Sequence, residues 1–144
     1  MEGISFEKVN FTYALSDKPA VRNVSFTVGE GELCLVIGKS AAGKSTLLKL
    51  MKKEIAPSGR LEGKISAVKS IGFVSQNVEE AIVCDRVRSE LSFGLTNLGM
   101  SKEYIELRVS EVAGYFNLSG KLDSEISSLS GGEKQILNLA SVMI

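Results

Sequence analysis

One eight-residue stretch limits the fold of this chain more than any other. GKSAAGKS, Gly38–Ser45, places four residues between two glycines and follows the second glycine with lysine and serine. It lies between ELCLVIG, an apolar run typical of a strand buried on both faces, and KSTLLKLMKKE, in which leucines recur at helical spacing. A strand, a glycine-bounded loop and a helix in this order aim backbone N–H groups and a helix N-terminus at one point. The stretch therefore predicts a phosphate-binding loop.

The residues of this loop have distinct expected roles. Lys44 is expected to reach the β- and γ-phosphates of a bound nucleotide, and the Ser45 hydroxyl to ligate Mg²⁺. Ala41 stands where many such loops have glycine, so we expect backbone strain there. The predicted nucleotide-binding residues are Gly38, Lys39, Ser40, Ala41, Ala42, Gly43, Lys44, Ser45 and Thr46.

A second candidate phosphate site lies in LSGGE, Leu129–Glu133. Ser130 and Glu133 have the S-x-x-E spacing of a helix capping box. Gly131 and Gly132 would fill the first turn and leave its N–H groups uncovered by side chains. On these residues alone two interpretations stay open, a well-capped helix start and a helix start that a ligand approaches closely.

Composition excludes several classes of function. Lysine and arginine number 17, aspartate and glutamate also number 17, and there is no histidine. The balanced charge gives no reason to expect a nucleic-acid partner, and imidazole is excluded as base or metal ligand. Cys34 and Cys84 lie in apolar runs, which predicts buried free thiols in a reducing compartment. No apolar run approaches the roughly 20 residues that span a bilayer.

The remaining patterns predict antiparallel strands first and helices last. ISFEKVNFTY and VRNVSFTV alternate apolar and polar residues, and LEGKI and SIGFVSQ resemble two further strands. Three helices are expected, one from Asp85, one from about Ser101 to Phe116 and one from Ser130. This order predicts an α/β core with an inserted helical subdomain. The expected inward faces are Val87, Leu91, Leu95 and Leu98; Ile105, Val109, Val112 and Phe116; and Ile136, Leu139, Ala140 and Met143.

Taken together, GKSAAGKST and LSGGE resemble the nucleotide-binding subunit of ATP-binding cassette (ABC) transporters, and the resemblance covers essentially the whole chain. It implies ATP and Mg²⁺ as cofactors, with Tyr13 stacking on adenine. Gln76, which ends IGFVSQ, would contact Mg²⁺ or the attacking water and couple the site to a membrane subunit. The implied catalytic residues are Lys44 and Gln76, and the implied Mg²⁺ ligands are Ser45 and Gln76. The alternative interpretations give these residues no functional role: Tyr13 would be a strand-end aromatic residue and Gln76 an ordinary loop residue.

The resemblance also implies a composite site made by two subunits. Ser130, Gly131, Gly132 and Glu133 would serve ATP held on a second ABC ATPase subunit, in a homodimer or heterodimer. A membrane-embedded coupling subunit is the other expected partner. Binding to this subunit implies that the chain is peripheral and lies at the cytoplasmic face of the membrane.

The stretch after Gln76 narrows the resemblance. SQNVEEAIVCDRVRSELSFGLTNLG is similar to energy-coupling-factor (ECF) ATPases, which drive uptake of vitamins and metal ions. Val78 departs from the proline that this family commonly has after the asparagine. Two alternatives remain, a non-transport ABC-type ATPase of translation or DNA repair, and a nucleotide-binding fragment without catalysis.

The acidic residue that would help hold Mg²⁺ for hydrolysis is not evident. The aspartates are Asp17, Asp85 and Asp123. Asp85 follows the apolar AIVC, but it comes too soon after Gln76 to be the Walker B aspartate. That aspartate, the neighbouring catalytic glutamate and the switch histidine of the family are all missing.

The expected fold is therefore α/β. It is a P-loop NTPase core of ABC ATPase type with an N-terminal antiparallel β part and an inserted α-helical subdomain, its C-terminal part missing. Residues 1–144 form one partial domain, with the β part and P-loop core in 1–76 and the helical subdomain in 77–144. The simplest account of the sequence is truncation. It predicts a P-loop strand without its neighbour, marginal stability, and an ATPase that is active only as a full-length dimer.

Overall fold

A computed structural model describes residues 3–144, which divide into a first unit ending at Ile71 and a second unit starting at Gly72. The first unit contains a three-stranded antiparallel sheet in the order β2-β1-β3. The strands are β1 (Ile4–Tyr13), β2 (Val21–Val28) and β3 (Gly59–Ser66). The first two strands match the alternating stretches of the sequence, and β3 contains the predicted LEGKI strand.

Apolar residues of β1 form the centre of the first core. Phe6, Val9 and Phe11 are buried, and the ring of Phe6 stacks on that of Phe26 across the β1–β2 pair at 4.7 Å. The short helix α1 (Lys44–Lys49) contributes Leu47 to the same cluster. The predicted helix from Lys44 onward is thus confirmed at its start. It ends after six residues, and a 3₁₀ turn follows at Lys53–Ile55.

The predicted buried strand before the loop is wrong for the residues described. Residues 32–39 have no regular structure, and Leu33, Leu35 and Ile37 are 99%, 83% and 81% exposed. A β-strand is defined by its hydrogen bonds to a partner strand. Within residues 3–144, no segment pairs with residues 32–39, which thus have no strand partner. SIGFVSQ, also predicted as a strand, is irregular as well.

The second unit is helical. Its helices are α2 (Val87–Asn97), α3 (Lys102–Tyr115) and α4 (Gly131–Met143), and 3₁₀ turns lie at Ser119–Lys121 and Ile126–Ser128. Ser101 caps α3 by accepting a hydrogen bond from the Tyr104 N–H, as serine does at many helix starts. All three helices thus begin close to where the sequence predicts them. Their shared core contains Val87, Leu91, Val109, Val112, Ala113, Leu118, Ile126, Leu129, Leu137 and Ala140.

The predicted inward faces of α2 and α4 need correction. Leu98 is 71% exposed because α2 ends there and the chain turns through Gly99 at a φ of 71°. In α4, Ala140 is buried as expected, but Ile136, Leu139 and Met143 are substantially exposed. Apolar residues run almost all round this helix, so their spacing alone did not identify the buried face. The residues that α4 buries are Leu137, Asn138 and Ala140.

The two thiols are free, as predicted. The prediction that they are buried is wrong. Cys34 is exposed because its apolar run has no strand partner, and Cys84 is half-buried. Among the helices formed by residues 3–144, none combines the length and the apolar character that a bilayer crossing requires.

Candidate functional site

The loop Gly38–Ser45 requires backbone angles that favour glycine. Gly43 has a φ of 86°, and a Cβ atom at this position would lie 2.3 Å from the carbonyl oxygen of Ala20. Ala41 has a φ of 61°, which an L-residue adopts only at a cost. The strain expected at Ala41 is therefore present. Both glycine geometry and a close backbone approach exclude a larger residue at Gly43.

Lys44 closes this loop on itself. Its Nζ atom donates to the carbonyl oxygens of Gly38 and Lys39 at 2.9 and 2.8 Å. Within residues 3–144, the N–H groups of Ser40, Ala41 and Gly43 donate to no partner. An ammonium group beside unpaired backbone donors makes an anion-binding concavity. To bind a phosphate, Lys44 would exchange two carbonyl acceptors for phosphate oxygens.

Tyr13 lies at the end of β1, as the sequence predicts, and contacts the same loop region. Its hydroxyl is 2.6 Å from the Oγ1 atom of Thr46, the third residue of α1. A cavity of about 480 Å³ opens beside Tyr13 and is lined mainly by polar residues, among them Asp17 and Arg60. The structure thus places Tyr13 and Gly38–Thr46 in one neighbourhood of the first unit.

The donor set at the loop fits Mg²⁺ only in part. The Ser45 side chain is exposed and offers one hydroxyl oxygen, a hard ligand of the type that Mg²⁺ prefers. No cluster of three or more His, Cys, Asp or Glu side chains that could hold a metal occurs in the described part of the chain. Apart from Ser45 and the predicted ligand Gln76, Mg²⁺ would therefore depend on water and phosphate oxygens.

At the second candidate site, the structure builds the complete capping box. The Ser130 Oγ atom accepts from the Glu133 N–H at 3.3 Å, and the Glu133 Oε2 atom accepts from the Ser130 N–H at 2.9 Å. Glu133 also forms an ion pair with Lys121 from the preceding 3₁₀ turn. The hydrogen bonds from Lys121 and then from Ser130 lower the pKa of Glu133 to about 2. The carboxylate is therefore charged over almost the whole pH range.

The two glycines of this site have no internal packing role. A Cβ atom added to Gly131 or Gly132 would meet nothing within 4 Å. Both residues are exposed in the first turn of α4. Capping therefore explains Ser130 and Glu133, whereas contacts inside the described chain do not explain the glycines.

Gln76 is exposed and lies in the irregular segment that opens the second unit. The residues after it are tied to the helices. Glu79 pairs with Lys134 of α4 at 3.4 Å, and the Asn77 amide donates to Glu80 at 2.7 Å. Glu90 of α2 is only 5% exposed, and its Oε2 atom accepts from the N–H groups of Val83 and Cys84. Sequence reasoning missed these contacts, and also those of Lys121 and the Tyr13–Thr46 bond. Except for the local Asn77–Glu80 bond, each joins positions with no periodic relation.

The sheet, the phosphate loop and the helical unit define a P-loop NTPase fold of ABC ATPase type. A solved structure of CbiO1 from Clostridium perfringens, described as part of the ABC transporter complex CbiONQ, has this fold. It superposes with a TM-score of 0.79 over 97% of this chain and 60% of that protein, at 24% identity. The predicted fold class is confirmed.

The family follows from the sequence comparison. The family model described as ABC transporter matches residues 21–144, so the chain belongs to the ABC transporter family. A Bacillus cereus relative named among ABC transporter ATP-binding proteins is 33% identical over all of this chain and 29% of its own length. The energy-coupling factor transporter ATP-binding protein EcfA1 of Halalkalibacterium halodurans is 33% identical over 99% of this chain and 55% of its own length. EcfA of Enterococcus faecium is 32% identical over 97% of this chain and 54% of its own length.

The chain therefore spans between about a third and somewhat more than half of these relatives. Its relatives include ATPases of ECF type, as the stretch after Gln76 predicts.

Proposed function

We propose that the chain is the ATP-binding part of an ABC transporter and that it binds MgATP at Gly38–Thr46. The observation that carries this proposal is the loop that Lys44 closes, with its unpaired N–H groups and with Tyr13 beside it. Lys44 would neutralise the β- and γ-phosphates, Ser45 would ligate Mg²⁺, and Tyr13 would stack on the base. Gln76 would complete the Mg²⁺ and water contacts when the protein is assembled.

The second part of the proposal concerns Ser130–Glu133. Open space at Gly131 and Gly132 supports close approach by a nucleotide held on a second ABC ATPase subunit. The capping box would hold the start of α4 rigid, so that its N–H groups point toward the phosphates. Binding of ATP would thus draw two such subunits together, and hydrolysis by the assembled dimer would release them.

We further propose the ECF type and a role in uptake of a vitamin or metal ion. The similarity to two ECF transporter ATPases supports this assignment. A membrane-embedded coupling subunit would then be the partner near Gln76, and the chain would sit peripherally at the cytoplasmic face of the membrane. Co-expression with such a coupling subunit from the same organism, followed by affinity purification in detergent, tests this part. A coupling subunit that does not co-purify with the chain would refute it.

Replacement of Lys44 tests the nucleotide site directly. Lys44→Ala should weaken MgATP binding by about 10-fold to 100-fold in isothermal titration calorimetry, because charge-assisted hydrogen bonds to phosphate are lost. Lys49→Ala is the matched control, since Lys49 is an exposed lysine in the last turn of α1. An ATP affinity that Lys44→Ala leaves unchanged would show that the nucleotide binds elsewhere.

A further inference from the structure

The Tyr13 side chain is held in place from two sides. Its hydroxyl is 2.6 Å from the Thr46 Oγ1 atom, and its ring meets the buried ring of Phe11 edge-on, with centroids 5.2 Å apart and planes at 80°. The residue opposite Tyr13 on β3 is Gly59, where a Cβ atom would lie 2.7 Å from the Phe11 ring on which Tyr13 packs. Tyr13 nevertheless remains 40% exposed. A partly exposed ring with both its edge and its hydroxyl fixed presents the remaining surface in one orientation.

The bond to Thr46 is not what helix formation alone would produce. Thr46 is 7% exposed, so its hydroxyl needs a partner inside the protein. A helical threonine ordinarily satisfies this need with a carbonyl oxygen of the preceding turn. Among residues 3–144, however, the partner of the Thr46 Oγ1 atom is the Tyr13 hydroxyl, 33 positions away in the sequence.

The position of Thr46 in the chain gives this bond a further consequence. Thr46 directly follows Lys44 and Ser45, so the same helical turn carries the proposed phosphate ligands and the anchor of Tyr13. The bond therefore ties the end of β1 to the start of α1. A tyrosine fixed before binding loses less side-chain entropy when a ligand stacks on it.

We infer that Thr46 is a positioning residue, whose hydroxyl sets the orientation of Tyr13 relative to the phosphate loop. This inference rests on the proposed function, because the advantage arises only when a base and a phosphate chain bind together. Thr46 would then increase affinity for the base part of the nucleotide, in addition to any contact that it makes with phosphate.

The test compares a ligand that has a base with one that has none. Thr46→Val and Tyr13→Phe each remove one hydroxyl while keeping the side-chain shape, and the double variant removes both. Calorimetry with MgATP should show about a threefold to tenfold loss for each single variant, the range expected for one hydrogen bond. The double variant should lose no more than a single one, because both substitutions break the same bond. Magnesium tripolyphosphate should bind Tyr13→Phe within about a factor of two of the unchanged chain, and Thr46→Val should lose more affinity for MgATP than for tripolyphosphate.

Thr46→Ser is the matched control, because it retains the hydroxyl and should retain the affinity for ATP. Equal losses for ATP and tripolyphosphate would overturn the inference, since Thr46 would then act on the phosphate loop. Additive losses in the double variant would overturn it as well.

Two further outcomes are decisive. If Thr46→Val does not fold, Tyr13→Phe alone decides, and an unchanged ATP affinity in that variant refutes the inference. An unsubstituted chain that binds neither ligand would refute the proposed function, and the inference with it.

Discussion

At the scale of single residues, Glu133 concentrates more interactions than any other part of the LSGGE stretch. It accepts hydrogen bonds from the N–H and hydroxyl groups of Ser130 and pairs with Lys121. These contacts connect the 3₁₀ turn Ser119–Lys121 with the first turn of α4. The depressed pKa of Glu133 follows from them and makes the arrangement sensitive to acid.

The first prediction is a change in acid sensitivity on Glu133→Gln. The pKa of Glu133 is about 2 in the folded chain and 4.5 when unperturbed, so the unfolded state binds the proton more readily. The stabilisation is thus fully present above about pH 4.5 and is lost as the pH falls toward 2. The melting temperature of the unsubstituted chain should fall more steeply across this window than that of Glu133→Gln.

Glu54→Gln serves as the control for this measurement, since Glu54 is an exposed glutamate of the first unit. Parallel melting curves for the unsubstituted chain and Glu133→Gln from pH 6 to pH 2 would contradict the assigned role of the carboxylate.

At the scale of secondary-structure elements, the glycines of the two candidate phosphate sites differ in what they do for the fold. Gly43 precedes α1 with a positive φ and touches the Ala20 carbonyl group, whereas Gly131 has open space around it. The first glycine therefore stabilises the fold, and the second does not.

Alanine substitution should separate the two glycines. Gly43→Ala should destabilise the chain by more than about 1 kcal/mol, because it combines backbone strain with a steric clash. Gly131→Ala should stabilise it by up to about 1 kcal/mol, because alanine favours a helix over glycine. Midpoints of urea unfolding measure both changes. Destabilisation by Gly131→Ala would show that this turn has internal contacts that the structure lacks.

The elements that the sequence predicted well are those whose signals are local. The alternation in β1 and β2, the periodicity of α2 and α3, and the serine cap of α4 each lie within one short segment. The strand predicted at Leu33–Ile37 is wrong because a strand also needs hydrogen-bonded partner strands, and no local pattern indicates them.

In the candidate sites, too, local motifs were predictable and contacts between distant segments were not. The spacing in Gly38–Ser45 and the S-x-x-E box are local motifs, so both the turn geometry and the cap were predictable. The Tyr13–Thr46 bond and the Lys121–Glu133 pair depend on how segments pack, and no spacing in the sequence indicates them.

At the scale of the whole molecule, the described chain offers two candidate phosphate sites but no aspartate at the end of a buried strand. Asp17, Asp85 and Asp123 are all exposed, and none ends a buried strand. The sequence contains no histidine. Phosphoryl transfer to water depends on Mg²⁺ held partly by an acidic residue and on a group that orients the water.

We therefore predict that the purified 144-residue chain binds MgATP without appreciable turnover. A phosphate-release assay at saturating ATP should give a rate no higher than that of Lys44→Ala measured in parallel. Turnover well above this background, abolished by Lys44→Ala, would show that another group in the chain supplies the missing chemistry.

The exposed run Leu33–Ile37 also affects how the chain behaves in solution. Its five residues, LCLVI, carry no charge and include no proline, and their backbone lies outside the sheet. Short apolar segments of high β-propensity in this state are templates for intermolecular strand pairing and amyloid-like assembly. The colloidal stability of the chain should accordingly depend on protein concentration, and solubility rather than unfolding should set the practical limit for handling it.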